Sequence, residues 1–191
     1  MRSQKTIQMV EITLMSAVLC ILSPVTIPVP MSPVPFSMAT FVVYLAGMLL
    51  GAKKGAASVL LYLLIGMVGL PVFSGFSGGI GKLLGPTGGY IIGYIPCALV
   101  TGVLVDKGTG RYNGAAKKQF LWNVFSMVAG TVLCYVFGTV WFIVVMNGTY
   151  TPMQALLVCV VPYLLFELIK ILAAVAVAVP IRKVLRKMTA A

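Results

Sequence analysis

Glu167 and Lys170 are the two residues whose types and spacing most plainly suggest chemistry, because both sit inside the apolar run VCVVPYLLFELIKILAAVAVAV. The chain has only three acidic residues in 191, and one stands in a segment long and apolar enough to cross a membrane. A charge at the centre of a bilayer costs about 2.5–3.5 kcal/mol on insertion scales. A spacing of three places both side chains on one helical face, where they neutralise each other and present an acceptor beside a donor. The plain alternative is a salt bridge that only tolerates burial. Intramembrane ionisable residues usually face a cavity, so the pair reads as a functional site. Tyr163, four residues before Glu167, shares that face and predicts an aromatic wall. Pro162 predicts a kink below Glu167.

The elements that must position this pair follow from composition. Sixty per cent of residues are hydrophobic and nine per cent charged, with a mean hydropathy of +1.07. Ordinary soluble domains are about a quarter charged, so most of the chain belongs in lipid. Hydropathy marks six spans, at 7–27, 36–52, 55–72, 87–105, 120–146 and 154–180. The second and third are short, and the fifth is long enough to tilt or emerge. Residues 1–191 form a single six-helix membrane domain in this reading, all-α, with the first span retained and not removed as a signal peptide.

Charge orients the spans. Arg2, Lys5, Lys53, Lys54, Lys107, Arg111, Lys117, Lys118, Arg182, Lys183, Arg186 and Lys187 all fall on one side if six spans alternate. Lys82 alone falls on the other. The positive-inside rule then puts both termini in the cytoplasm. The net charge of +11 is therefore a lipid- or partner-facing cytoplasmic surface, and no nucleic-acid partner is expected.

Several chemistries are excluded by supply. The chain has no histidine, and its four cysteines lie in spans without CxxC spacing. A zinc site and a histidine-based triad lack ligands and base, and no cofactor is expected. The glycine loop GLPVFSGFSGGIGKLLGPTGGY (69–90) is not a P-loop, since Phe76 replaces the first glycine and Leu83 follows Lys82. It is not a dinucleotide fingerprint either. ATP hydrolysis by this chain is excluded, so uphill transport would draw on a partner or an ion gradient.

The outer loops have their own character. PVTIPVPMSPVPFS, with prolines at 24, 28, 30, 33 and 35, predicts a stiff extended connector. The glycine loop between spans three and four predicts a lid or binding loop, because irregular backbone at membrane depth survives only where it is buried or lines a cavity. Two smooth helix faces invite close packing: Gly85, Gly89 and Gly93 in the fourth span, and Thr13, Ser16, Ala17 and Cys20 in the first. Each suits either a partner or intrachain packing.

The glycine loop, with GPTGGY intact at 85–90, resembles the signature of the BioY family, the biotin-binding S components of energy-coupling factor (ECF) transporters. PVPFSMATFVVYLAGMLLGAKKG and PYLLFELIKILAA are similar to that family's second- and sixth-span motifs. The family commonly has Asp where Glu167 stands and often Gln at the place of Ala39. Its AxxxA pattern is only approximated by Thr13, Ala17 and Cys20. The resemblance implies biotin capture from outside a bacterial plasma membrane. It also implies assembly with a coupling transmembrane subunit and two cytoplasmic ATPases.

Biotin suits residues already singled out. Glu167 can accept from the ureido N–H groups and Lys170 can donate to the ureido oxygen. The thiophane ring and valeryl chain would bury on Phe73, Phe76, Tyr90 and Tyr163. The tail carboxylate would take backbone N–H groups from Gly75, Phe76, Ser77, Gly78 and Gly79, or Thr87 and the neighbouring Gly89 at the start of the fourth helix, with Lys82 as a further choice. The competing reading is an ion-coupled secondary transporter of a small vitamin or anion that uses Glu167 as a proton carrier. An intramembrane enzyme has no nucleophile–base pair to work with.

Overall fold

Pro24 stops the first helix early. It lacks an N–H and constrains Ser23 before it, so the span expected over 7–27 ends as a helix at Leu22. The computed structural model describes residues 2–28, 32, 34–111 and 115–190. In chain order its elements are α1 (Arg2–Leu22), β1 (Thr26–Ile27), β2 (Phe36–Ser37), α2 (Ala39–Met67), α3 (Ile80–Leu84), α4 (Gly88–Arg111), α5 (Ala116–Val145), α6 (Pro152–Cys159), a 3-10 turn (Val161–Tyr163) and α7 (Leu164–Ala190). Among the described residues, five helices are long and apolar enough to cross a membrane: α1, α2, α4, α5 and the broken segment from Pro152 to Arg182.

α2 is not one rod. Gly51 sits at φ 77° and ψ −179°, a left-handed conformation that glycine adopts without a Cβ penalty. In a straight helix Ala46 and Gly55 would lie about 13 Å apart at 1.5 Å per residue. Instead, a methyl placed on Gly55 would stand 2.7 Å from the Ala46 carbonyl oxygen. The chain therefore doubles back at Gly51, and the two halves of α2 meet where Gly55 lies against Ala46 and Gly47. α4 packs into this turn: a methyl on Gly47 would stand 2.8 Å from the Ala98 oxygen, and Gly102 abuts the Ala52 backbone. Ion pairs gather at the same end, Glu11 with Lys54 at 2.6 Å and Asp106 with Arg182.

α4 is held between α2 and α5. Its glycine stripe serves this intrachain packing, since a methyl on Gly93 would stand 3.2 Å from the Cys134 oxygen and Gly89 faces the Trp141 side chain. The Gly85 carbonyl accepts a hydrogen bond from Trp141 Nε1 at 3.0 Å. The α1 face divides. Ser16 is buried and Cys20 half-buried, whereas Thr13 and Ala17 are exposed.

The described ends of the proline-rich connector are paired. β1 and β2 form an antiparallel ribbon in which Thr26 faces Ser37 and Ile27 faces Phe36; Pro30 and Pro33 lie outside the described residues. The glycine loop folds onto the adjoining α2 end. Phe73 is buried edge-on to Tyr62, ring centroids 5.5 Å apart. Gly79 N–H donates to the Gly66 oxygen at 2.7 Å.

Candidate functional site

The last span breaks where Pro162 predicts a kink. Thr151 and Gln154 cap α6 reciprocally, Val160 leaves helical geometry at φ −121° and ψ −56°, and a 3-10 turn leads into α7. Proline supplies no N–H to the preceding turn, which favours a full interruption over a bend. α7 thus begins at Leu164, with Glu167 in its first turn and Lys170 one turn on.

The two charges are almost sealed from the surface, at 4% and 6% exposure. Lys170 Nζ lies 2.6 Å from Glu167 Oε2. The other carboxylate oxygen, Oε1, accepts from Tyr44 Oη at 2.6 Å. Lys170 also donates to the Ser37 carbonyl oxygen at 3.1 Å and to Thr40 Oγ1. An ammonium has three N–H donors, and all three are engaged. Its charge also lies 4.5 Å from the Phe36 ring centroid, a distance at which the ring face attracts a cation. Every polar atom of the pair is therefore compensated, which is what allows it to persist in an apolar interior.

Around the pair is a small cavity of about 50 Å³ walled by Phe36, Tyr90, Tyr94, Tyr135 and Tyr163, with Cys134 and Cys159 between them. Strand β2 and the residues before it cover the cavity. Tyr163 Oη donates to the Val34 carbonyl oxygen, and Phe36 packs on Phe166 at 5.1 Å between centroids. Pockets for small ligands run to about 300 Å³ or more, so this one must widen to admit an occupant. The arrangement can present a carboxylate acceptor and an ammonium donor side by side within aromatic walls. It holds no activated nucleophile.

Comparison with known proteins decides the family. The BioY family model matches residues 1–187. This chain belongs to the BioY family. The biotin transporter BioY of Thermotoga maritima is 39% identical over 158 residues, covering 82% of this chain and 86% of that protein. The probable biotin transporter BioY of Pyrococcus horikoshii is 34% identical over 152 residues, 80% of this chain and 83% of that one. The crystal structure of the S-component for biotin from an ECF-type ABC transporter superposes with a TM-score of 0.83. It shares 26% identity with this chain and covers 96% of it and 94% of that structure.

Within this BioY fold the residues expected at the site divide into two groups. Glu167, Lys170, Tyr90 and Tyr163 line the cavity together. Gly75, Phe76, Ser77, Gly78 and Gly79 do not line it. Their loop is pinned elsewhere, with Gly75 N–H donating to the Pro24 oxygen at 3.3 Å and Phe76 71% exposed. Phe73 is committed to Tyr62. Thr87 is buried at the start of α4, where its carbonyl accepts from the Tyr90 and Ile91 N–H groups. Gly89 faces α5, and half-buried Lys82 stands outside the cavity lining. Residues that sequence reasoning missed include Tyr44, Thr40, Ser37, Phe36, Tyr94 and Tyr135. Two signals were available: Tyr90 and Tyr94 are four apart on one helix face, as are Thr40 and Tyr44.

Proposed function

We propose that this chain captures biotin at the outer face of the cell membrane as the S component of an ECF-type ABC transporter. A coupling transmembrane subunit and two cytoplasmic ATPases supply the energy. Family membership and the biotin-transporter relatives support this reading over an ion-coupled carrier, and the protein is a multi-pass membrane transporter, not an enzyme. The observation that carries the ligand assignment is the compensated Glu167–Lys170 pair in a tyrosine-walled cavity.

In this proposal the reversal at Gly51 makes α2 two spans, giving six. Both termini and the Lys53–Lys54 turn are cytoplasmic by the positive-inside rule, and the β1–β2 ribbon and glycine loop lie outside. Glu167 accepts from the ureido N–H groups and Lys170 donates to the ureido oxygen. The sulfur ring and tail bury on Tyr90, Tyr94, Tyr135 and Tyr163, at about 25 cal/mol per Å² of apolar surface removed from water. The tail carboxylate points outward, toward the hydroxyl of Thr87 and the side of the glycine loop, once the covering strand moves; the Gly75 and Gly79 N–H groups are already spent on the Pro24 and Gly66 carbonyls.

Isothermal calorimetry of the detergent-purified chain with biotin, without ATP or metal, tests the reading. Tight binding is expected, and labelled biotin should be displaced by unlabelled. No heat and no displacement would overturn it.

A further inference from the structure

Tyr44 lies in α2 with no exposed surface, yet its hydroxyl is the hub of a polar chain linking three helices. Tyr44 Oη stands 2.6 Å from Glu167 Oε1 and 2.5 Å from Thr131 Oγ1. Thr131 Oγ1 is in turn 2.8 Å from the Met127 carbonyl oxygen. Three oxygen–oxygen contacts are thus within reach of two hydroxyl protons.

Counting protons gives the chain a direction. With Glu167 ionised beside Lys170, the carboxylate has no proton to give. Tyr44 must then donate to Oε1, which leaves its oxygen as an acceptor. The Thr131 proton has to turn from Met127 toward Tyr44, because two bare oxygens 2.5 Å apart would repel. The order is Thr131 to Tyr44 to Glu167, and Met127 keeps its ordinary helical N–H partner.

We propose that Tyr44, backed by Thr131, is a positioning residue that holds Glu167 as a fixed, purely accepting carboxylate and so selects ligands that offer an N–H donor. The ligand chemistry rests on the biotin reading; the carboxylate geometry does not. Glu167 and Lys170 share one helix, so they alone cannot fix the carboxylate against rotation about its own side chain. Tyr44 anchors it from α2 and Thr131 from α5. Without that anchor, Glu167 turns both oxygens onto Lys170, and that change removes an acceptor from the cavity.

Infrared spectra of the ligand-free protein test the geometry. The Glu167 carboxylate band is identified as the one lost in Glu167→Gln. Tyr44→Phe keeps the ring and should shift that band; Thr131→Val should shift it the same way by less. In parallel, affinities are measured for biotin and for biotin methylated on a ureido nitrogen. In Tyr44→Phe the affinity for biotin should fall about tenfold, the scale of one charge-assisted hydrogen bond, and the preference for biotin over the methylated analogue should shrink. An unchanged band, or an equal fall for both ligands, would overturn the proposal and leave Tyr44 as packing. If Tyr44→Phe does not fold, Thr131→Val decides by the same two readouts. If the wild type binds no biotin, the functional reading fails while the infrared comparison still judges Tyr44.

Discussion

Lys170 donates to the backbone carbonyl oxygen of Ser37 at 3.1 Å, across 133 residues of sequence. Ser37 ends the strand that covers the cavity, so one charge of the Glu167–Lys170 pair also holds down that cover. Because all three Lys170 donors are engaged, a ligand that takes a hydrogen bond from Lys170 has to replace one. The Ser37 bond is the replaceable one, since Glu167 and Thr40 sit on helices and Ser37 on a two-residue strand. In the proposed site, ligand binding and the position of β2 would be linked through that exchange.

Breaking the pair should be costly. Glu167→Gln and Lys170→Met each leave the other charge buried and unpaired, a loss on the order of 3–5 kcal/mol. Calorimetry should show biotin affinity falling by more than about a hundredfold in either variant, with Lys82→Met near wild type. Thermal melts must accompany the titrations, because part of that loss falls on folding. Wild-type affinity in either variant would make the pair purely structural.

Tyr163→Phe removes the hydroxyl that holds the Val34 carbonyl and leaves the aromatic wall in place. One neutral hydrogen bond is worth about 1 kcal/mol, so the strand should open more often. Stopped-flow measurement should find biotin associating and dissociating several-fold faster, with little change in affinity. Unaltered rates would mean that the ligand reaches the cavity by another route.

What could be read from the sequence was what lipid makes expensive or sterically special. A charge pair in an apolar run is conspicuous, and Glu167, Lys170 and Tyr163 stood out for that reason. The glycine loop stood out by composition as a lid or binding loop, and glycines 69, 75 and 79 do take positive φ, but the direction it faces was not legible. That depends on Phe73 lodging over Gly66 and on the Pro24 carbonyl, partners that no local pattern announces. Tyr44 reaches Glu167 across 123 residues, and the Ser37 contact uses a backbone atom present at every position. Spacing on one helix exposes neighbours three and four apart; it does not show which helix will lie opposite.

The reversal at Gly51 has a steric signature that mutation can read. Gly55→Val would drive side-chain atoms into the Ala46 carbonyl, where even a methyl would stand at 2.7 Å, and overpacking of this kind costs about 1–3 kcal/mol. Gly51→Ala meets a positive φ of 77° with ψ −179°, a region essentially confined to glycine, and should cost about 1–3 kcal/mol. Both should lower the melting temperature in detergent. A wild-type melt for Gly55→Val would show that the two halves of α2 do not touch there.

The last prediction separates two neighbours on α1. Ala17 and Thr13 face outward, while Ser16 is buried at 1% exposure. In lipid, small residues let a second helix backbone come close, and packing supplies much of the association energy. If the outward stripe meets the coupling subunit, Ala17→Trp blocks docking without disturbing the cavity. Uptake by cells carrying the whole transporter should then be lost, while purified Ala17→Trp binds biotin as the wild type does. Ser16→Trp serves as the contrast. Its side chain would press into α2, so melting temperature and biotin binding should fall together. Normal uptake by Ala17→Trp, with the coupling subunit co-purifying at wild-type yield, would show that the stripe faces only lipid. The adjacent pair makes the test sharp, because a general intolerance of tryptophan on α1 would affect both positions alike.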